Sequence, residues 1–445
     1  MLEAALKYTL IQAALWVTAY VLLAIAPLMV AYVGPTPEPR SYWIELAVGL
    51  GFVGLSMMAL QFVLTGRFAN IARNLDLDDM FQYHRQAGLI AFGFILLHPL
   101  LLFAANDDYL TFLDPSVNAP RALALAAVLA ALSLLVVTTL WRQTLRIPYE
   151  RWRLLHGFIA VFVVSIGLVH ILQVGFYVSV WWKQALWVSL TGAAILLLLN
   201  TRAVRPFLAR KKPYRVTEVR KERGPAWTVV LKALNHVGLK FEPGQFAWIT
   251  FGRSPFSLQQ HPFSFSSSAE TAGQLDLTIK ELGDFTETVG RTEPGSIAYV
   301  EGPYGAFTPD DDATRGGLVF FTGGVGITPI MSILRTFAAR KDSRPLLLVY
   351  ANKAWEDVLF REDLAALEEV LDLKVVHVIE YPPAGWDGEC GRITSDLIDR
   401  YLPEDSAVAS YFICGPEPMM DVVEHELRSR GVSLRKLQSE RFKIV

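Results

Sequence analysis

The chain has 445 residues, of which 52% are hydrophobic, and 41 Lys and Arg against 43 Asp and Glu leave a formal net charge of −2. That length accommodates two or three domains, the near-neutral charge says little about partners and nothing suggests a nucleic-acid surface, and a positive mean hydropathy excludes a purely soluble enzyme. The only two cysteines are Cys390 and Cys414, which excludes a Cys-ligated iron–sulfur cluster and argues against a disulfide scaffold.

The apolar excess lies in residues 1–200, and the remainder reads as a soluble α/β protein. Six apolar runs, at 8–33, 42–65, 81–104, 119–141, 154–175 and 179–200, each reach the roughly 20 residues needed to cross a bilayer. The first is expected to be a retained helix, since no small-residue cleavage site with a polar mature start follows it. The last two are joined by a short turn near Gly175. Arg67 and Arg73 lie between runs two and three, Arg142, Arg146, Arg151 and Arg153 between four and five, and Arg202, Arg205, Arg210, Lys211 and Lys212 after six. The opposite loops are poor in Lys and Arg, and one carries Asp107, Asp108 and Asp114. By the positive-inside rule, both termini and the soluble half are expected on the cytoplasmic side of the inner (plasma) membrane.

Four of the eight histidines fall inside these runs: His84 and His98 in the third, His156 and His170 in the fifth. Both pairs are 14 positions apart (98−84 and 170−156). Fourteen steps fall about 40° short of four helical turns and rise about 21 Å, so each pair lies on nearly one helix face. Runs three and five both lead outward. His84 is therefore expected to face His156 near the cytoplasm, and His98 to face His170 nearer the outside. A single buried histidine is commonly a core or proton-relay group. Two pairs of identical spacing in hydrocarbon, where ionisable side chains are costly, point instead to two stacked bis-His haem sites, because imidazole suits iron. Arg85 and Arg153 at the inner level fit either haem propionates or plain positive-inside flanking. Arg121 and Lys183 near the outer level are candidate contacts for a propionate or an anionic product.

After the basic linker Arg210–Pro213 come strand-like segments at 214–222, 227–234, 246–251 and 275–281, spaced as in a small antiparallel barrel. They enclose the run His261-Pro262-Phe263-Ser264-Phe265-Ser266-Ser267, which offers an aromatic to flank a flavin ring and hydroxyls, from Ser264 to Ser267, to bond its edge. A second run, Lys280-Glu281-Leu282-Gly283-Asp284-Phe285-Thr286, turns at Gly283, and Thr286 is expected to open a helix over 287–291 whose free N–H groups suit a phosphate. From about residue 316 strands and helices alternate, the sign of a parallel sheet. The strand 318–321 runs into Thr322-Gly323-Gly324-Val325-Gly326-Ile327-Thr328-Pro329 and a helix to about Arg340, placed as a pyrophosphate-binding turn is. The next strand, 346–350, ends at Ala351-Asn352-Lys353. Lys353 is either a 2′-phosphate ligand favouring NADPH over NADH or a solvated loop lysine, and Arg392 is a further phosphate candidate. Strand 411–413 leads to Cys414-Gly415-Pro416, at the strand end where open α/β sheets bind ligands.

Taken together, the two histidine pairs, His-Pro-Phe-Ser, Gly-Asp-Phe-Thr, Gly-Pro-Tyr-Gly at 302–305, Gly-Gly-Val-Gly-Ile-Thr-Pro, Cys-Gly-Pro and the terminal Glu440-Arg441-Phe442 resemble the ferric reductase and NADPH oxidase superfamily, above all its bacterial members. The resemblance spans essentially the whole chain. It implies a multidomain membrane protein: a six-helix transmembrane haem domain over 1–205, an antiparallel β-barrel FAD domain over 212–312, and an α/β parallel-sheet NAD(P)-binding domain over 313–445. By the same resemblance, His261 to Ser264 contact the flavin, Thr286 the pyrophosphate, and Gly324 to Thr328 the nicotinamide nucleotide phosphates. Cys414 lies near the nicotinamide, and Phe442 shields the flavin. Three residues, Lys443 to Val445, follow that aromatic and must turn away if it stacks. The implied route runs from NADPH (or NADH) through FAD and two b-type haems to an outer acceptor: oxygen, a ferric complex or a periplasmic redox protein. A haem-binding or proton-conducting membrane protein without enzyme activity is the reading of a different class.

Overall fold

The computed structural model describes residues 2–67, 77–309, 317–402 and 409–441. They form two compact units, one of Ala13–Arg67 with Asp79–Val204, the other chiefly Arg205–Ile444.

The first unit is a helical bundle of α1 (Leu2–Ala31), α2 (Tyr42–Leu64), α3 (Leu77–Ala105), α4 (Pro115–Leu140), α5 (Tyr149–Val174) and α6 (Trp181–Leu199). All six are long and apolar enough to span a membrane. Leu22, Leu89, Ile90, Leu123 and Phe158 point outward, as side chains facing lipid tails do. α2 is the inner helix, burying Phe52, Leu55, Met57, Met58, Ala59, Leu60 and Phe62. Local chemistry sets the helix ends. α5 stops at Gly175, whose φ of 64° no branched residue tolerates and whose N–H caps the Ile171 carbonyl. α4 starts early because Asp114 accepts from the Ser116 N–H, then breaks at Asn118, φ −157°. Its continuous stretch therefore begins where the apolar run does.

The second unit holds two sheets. The first contains β1 (Tyr214–Lys221), β2 (Ala226–Ala233), β3 (Phe246–Phe251), β4 (His261–Ser264), β5 (Gln274–Lys280) and β6 (Ile297–Tyr304), all antiparallel, in the order β4-β3-β6-β1-β2-β5. A bridge from Phe265, just past β4, to Leu277 in β5 joins the two end strands and closes the barrel. Its interior is apolar, with Val216, Val229, Leu231, Ile249, Phe265 and Leu277 buried. The second sheet contains β7 (Leu318–Gly323), β8 (Leu346–Asn352), β9 (Leu373–Ile379), β10 (Glu389–Cys390), β11 (Ser410–Cys414) and β12 (Leu437–Glu440). All are parallel, in the order β10-β9-β8-β7-β11-β12. Helices α7 (Ile327–Arg340), α8 (Arg361–Glu368), α9 (Ser395–Tyr401) and α10 (Glu417–Ser429) accompany it.

Strands β6, β9, β10 and β12 are absent from the sequence reading. β6 holds Gly302 and Pro303, and β10 and β12 are two and four residues long, too short for a period. β9 alternates only weakly: Leu373, Val376, Val378 and Ile379 are buried, so its apolar positions do not fall on a strict two-residue period. The helix expected over 287–291 is a 3-10 stretch, Thr286–Arg291.

Barrel and parallel sheet are held together by main-chain contacts. Ser332 donates to the Ser267 carbonyl at 2.8 Å, Arg335 to the Ser266 carbonyl at 2.7 Å, and the Ala269 N–H to Thr336 at 2.9 Å. Gly244 sits at φ +94°, where a Cβ would lie 2.0 Å from the Phe307 carbonyl oxygen. Gly244→Ala combines left-handed strain with a backbone clash, each worth about 1–3 kcal/mol. It should lower the unfolding midpoint of the soluble unit by several degrees in a thermal melt followed by Trp fluorescence; an unchanged midpoint would show that the contact yields freely.

Candidate functional site

In the membrane unit α3 and α5 bring the four histidines together in the expected pairs. The His84 and His156 rings lie 6.1 Å apart, centre to centre, and the His98 and His170 rings 6.4 Å apart. Two imidazoles bonded to one metal from opposite sides, each nitrogen at about 2 Å, have ring centres about 6.3 Å apart. The second ring nitrogens favour the same use. The Ala47 carbonyl lies 2.8 Å from His98 Nδ1. A carbonyl only accepts, so Nδ1 carries the proton and Nε2 keeps its lone pair. The Thr139 hydroxyl donates to the Leu135 carbonyl at 2.6 Å, leaving its lone pairs to face His156 Nδ1 at 3.4 Å. Gly51 makes room for His98: a Cβ there would meet Nδ1 at 2.9 Å. Among the described residues no three His, Cys, Asp or Glu side chains converge on one point. Each pair is therefore a two-ligand set, the number that an iron in a planar macrocycle asks of the protein. These residues fit two haems.

The basic residues near these levels divide. Arg85 is exposed, and Arg153 lies 5.6 Å from the Tyr149 ring. Arg121 donates to the Thr111 carbonyl at 3.0 Å, while its buried Nε has no hydrogen-bond partner. Lys183 is buried and donates to the Ala31 carbonyl at 2.7 Å. It caps the end of α1, which differs from the anion contact expected of it.

In the barrel, β4 and the turn after β5 bring the two flavin-directed runs side by side. His261 stacks on Phe285 with centroids 4.1 Å apart, and Phe263 lies 6.3 Å from the same ring at 20°. Ser264 Oγ is buried without a hydrogen-bond partner, a cost of about 1–3 kcal/mol unless a bound group supplies one. That orphaned hydroxyl beside aromatic faces fits a flavin. Thr286 does not cap the following turn; its hydroxyl accepts from the Leu282 and Gly283 N–H groups at 2.8 and 3.0 Å. Gly283 thus forms part of a tight loop, and Ser267 is buried with its hydroxyl taken by the Asp276 N–H.

In the parallel sheet the chain steps from β7 outward through β8, β9 and β10, then returns to the other side of β7 with β11. This reversal is the switch point at which open α/β sheets bind ligands. The loops after β7 and β11 touch there. A Cβ on Gly326 would lie 2.3 Å from the Cys414 carbonyl oxygen, one on Gly323 2.7 Å from Pro416, and one on Gly415 2.8 Å from the Gly323 nitrogen. Tyr350, fully buried, donates to the Gly324 carbonyl at 3.0 Å and accepts from the Leu359 N–H. In front of these loops is a cavity of about 430 Å³ lined by Lys280, Gly323, Gly324, Asn352, Lys353, Arg392 and Pro416 among others. Seven of the sequence-derived candidates thus share one cleft. Asn352 is buried with its amide nitrogen lacking a partner, whereas Arg392 is paired with Glu380 at 2.9 Å. Thr328 and Pro329 are buried in the first turn of α7, Thr328 donating to the Val325 carbonyl. Cys414 is buried behind the loop, and burial, with Glu440 beside it, pushes its thiol well above the ordinary cysteine range. Phe442 lies outside the described residues, as does Arg73.

Residues 50–167 match the ferric reductase like transmembrane component, 225–308 an FAD-binding domain, and 320–425 the oxidoreductase NAD-binding domain. The chain belongs to the ferric reductase and NADPH oxidase-like superfamily. Among curated proteins, this ferric-reductase-like chain is similar to NADH-cytochrome b5 reductase 1 of Pyricularia oryzae, 33% identical over 172 residues, covering 37% of this chain and 55% of that protein. The Debaryomyces hansenii protein of the same name is 32% identical over 164 residues, 36% and 57%. The chain thus spans little more than half the length of these relatives. Solved structures similar to it include the flavohemoglobin from Malassezia yamatoensis with bound FAD and heme, 16% identical, covering 90% of this chain and 98% of that one, TM-score 0.48. Another is the FAD/NAD binding domain of nitric oxide dioxygenase from Vibrio cholerae, 20% identical, 52% and 98%, TM-score 0.47.

Sequence reasoning missed Ala47, Gly51 and Thr139, which steer the histidine rings, and Glu380, which pairs with Arg392. Ala47 acts through its main chain, and the others are ordinary residues in apolar runs or at a strand end. The two cysteines give a direct check on the cleft. Cys390 is exposed and Cys414 buried as a neutral thiol, so iodoacetamide at pH 8 should modify Cys390 alone in the folded protein. A second label before unfolding would contradict that burial.

Proposed function

We propose that this chain is an NAD(P)H-dependent flavocytochrome oxidoreductase that carries electrons across a bilayer. The route runs from cytoplasmic NADPH through FAD and two bis-His b-type haems to oxygen or a ferric complex at the outer face. The observation supporting this reading above all is the pair of facing imidazole sets, 6.1 and 6.4 Å between ring centres, on helices of a chain that also carries FAD- and NAD-binding domains. When bound, nicotinamide, flavin and haem supply hydride transfer and one-electron carriage.

The protein's part is binding and positioning. His84 with His156, and His98 with His170, would each hold a haem through two imidazoles, and the haems would supply one-electron carriage toward the acceptor. Gly323, Gly324 and Gly326 let backbone N–H groups approach a dinucleotide pyrophosphate. Asn352 offers its buried amide to the same ligand, and Lys353, exposed on the cleft wall, binds a 2′-phosphate. Lys280, Arg392, Gly415 and Pro416 complete that wall or its floor. Ser264 holds the flavin edge by its hydroxyl, with His261, Pro262 and Phe263 flanking it and Gly283, Thr286 and Ser267 shaping the adjoining loop. Cys414 is a buried neutral thiol behind the loop that would hold the nicotinamide.

Purified protein supplied with haem and FAD should show its haem bands reduce when mixed anaerobically with NADPH. Bands that stay oxidised would sink the electron-transfer reading. Admitting oxygen or a ferric chelate, with and without superoxide dismutase, then assigns the acceptor. His98→Ala should lose about half of the bound haem by pyridine haemochrome assay, and full retention would refute that pairing. The curated relatives are named for NADH, so both dinucleotides should be compared. Lys353→Ala is expected to raise KM for NADPH about tenfold, the worth of roughly 1.4 kcal/mol, and to leave KM for NADH unmoved. An equal effect on both would remove Lys353 from the 2′-phosphate site.

A further inference from the structure

Helix α2 carries none of the four histidines, yet it touches one ring at each level. At the outer level its Ala47 carbonyl lies 2.8 Å from His98 Nδ1. At the inner level the Gln61 side-chain amide reaches within 2.6 Å of His84 Nδ1. Ala47 and Gln61 are 14 residues apart (61−47), the same separation as His84 and His98. α2 thus runs antiparallel to α3 and in register with both rings. Gln61 is 7% exposed, a buried primary amide in a membrane-spanning helix, where a polar group without partners is costly.

The two contacts differ in kind. Ala47 offers a main-chain oxygen fixed by the helix ladder, which holds His98 in one tautomer. Gln61 offers an amide that serves two states of the ring. Its NH₂ fits a ring with a bare Nδ1, and in that orientation it also meets the His84 carbonyl at 3.1 Å and accepts from the Gly88 N–H at 3.3 Å. A ring whose Nε2 is a ligand has its proton on Nδ1 and calls for the amide oxygen instead. With the amide turned the other way its oxygen meets Nδ1–H while also facing the His84 carbonyl at 3.1 Å, and its NH₂ donates to the Tyr20 hydroxyl at 3.4 Å. An acceptor on Nδ1–H pushes electron density onto the ligating nitrogen, favours the oxidised iron and lowers its potential.

We infer that Gln61 is a positioning residue for the inner haem site: it orients His84 toward His156 and sets the reduction potential of that centre separately from the outer one, which Ala47 serves. The inference rests on the bis-His haem reading above.

Full-length protein loaded with haem, titrated anaerobically with dithionite and followed by absorbance, tests it. The wild type should show two one-electron transitions. In Gln61→Leu, which keeps the bulk and removes the acceptor, one transition should rise by at least tenfold in its reduction equilibrium, about 59 mV for one electron, while the other stays. Gln61→Glu, which keeps an oxygen at that point, should return it to the wild-type value or below. Loss of one haem in Gln61→Leu with retention of both in Gln61→Glu would also support the assignment, since orientation of His84 is what the oxygen provides. A Gln61→Leu protein holding both haems with both transitions unmoved overturns it, as does a Gln61→Glu protein indistinguishable from Gln61→Leu. A wild type showing no pair of haem transitions would overturn the haem reading and this inference together, so the two failures are told apart by the wild-type trace alone.

Discussion

An imidazole buried among hydrocarbon chains must find use for both ring nitrogens inside the protein, because lipid offers neither donor nor acceptor. The surroundings of three of the four rings follow from that constraint. α3 and α5 carry the rings at matching heights, but their neighbours decide how the rings stand. The Ala47 carbonyl and the Thr139 hydroxyl engage Nδ1 on His98 and His156, and Gly51 leaves the space that His98 fills. The His84 and His156 rings, and the His98 and His170 rings, face each other across α3 and α5. α2 has no ligand of its own, yet it is the most buried of the six spans, and its backbone carbonyl and its amide are as much part of the site as the histidines.

The soluble unit answers a different constraint, the close approach of two loops at the point where the parallel sheet reverses. The turns after β7 and β11 meet with no room for a side chain at Gly323, Gly326 or Gly415. Close packing of backbone on backbone keeps side chains out of the cleft in front of these turns. The same packing buries Cys414 and strips it of ready ionisation. Arg392 pairs with Glu380 and Lys353 is exposed on the same cleft, and because Arg392 is exposed too, that surface pair holds it only weakly.

Fold and chemistry are linked here through buried polar atoms. The Ser264 hydroxyl and the Asn352 amide nitrogen are both enclosed without partners, one in the barrel run and one in the dinucleotide cleft. Each costs about 1–3 kcal/mol while unpaired, which a polar ligand at the proposed sites would recover.

Much of this was legible in the sequence, and the reasons are local. Six membrane spans follow from length and hydropathy alone, because a bilayer of fixed thickness admits few alternatives. The histidine pairs follow from helical periodicity, since 14 residues return to nearly the same face whatever surrounds them. The glycine-rich turn after β7 and the strand before it are likewise set by short-range sterics. Strands β6, β9, β10 and β12 were not legible, because they are short or weakly alternating and exist by pairing with distant neighbours. Nor could the sequence show that Thr286 would fold back on Gly283, that Lys183 would cap α1, or that Ala47, Gly51 and Gln61 would surround the rings of α3. Those outcomes depend on which helix packs on which. The sequence determined the parts and the spacing of the four histidines; the tertiary structure decided the tautomer of His98 and the neighbours of His84 and His156, because these are set by atoms far away in the chain.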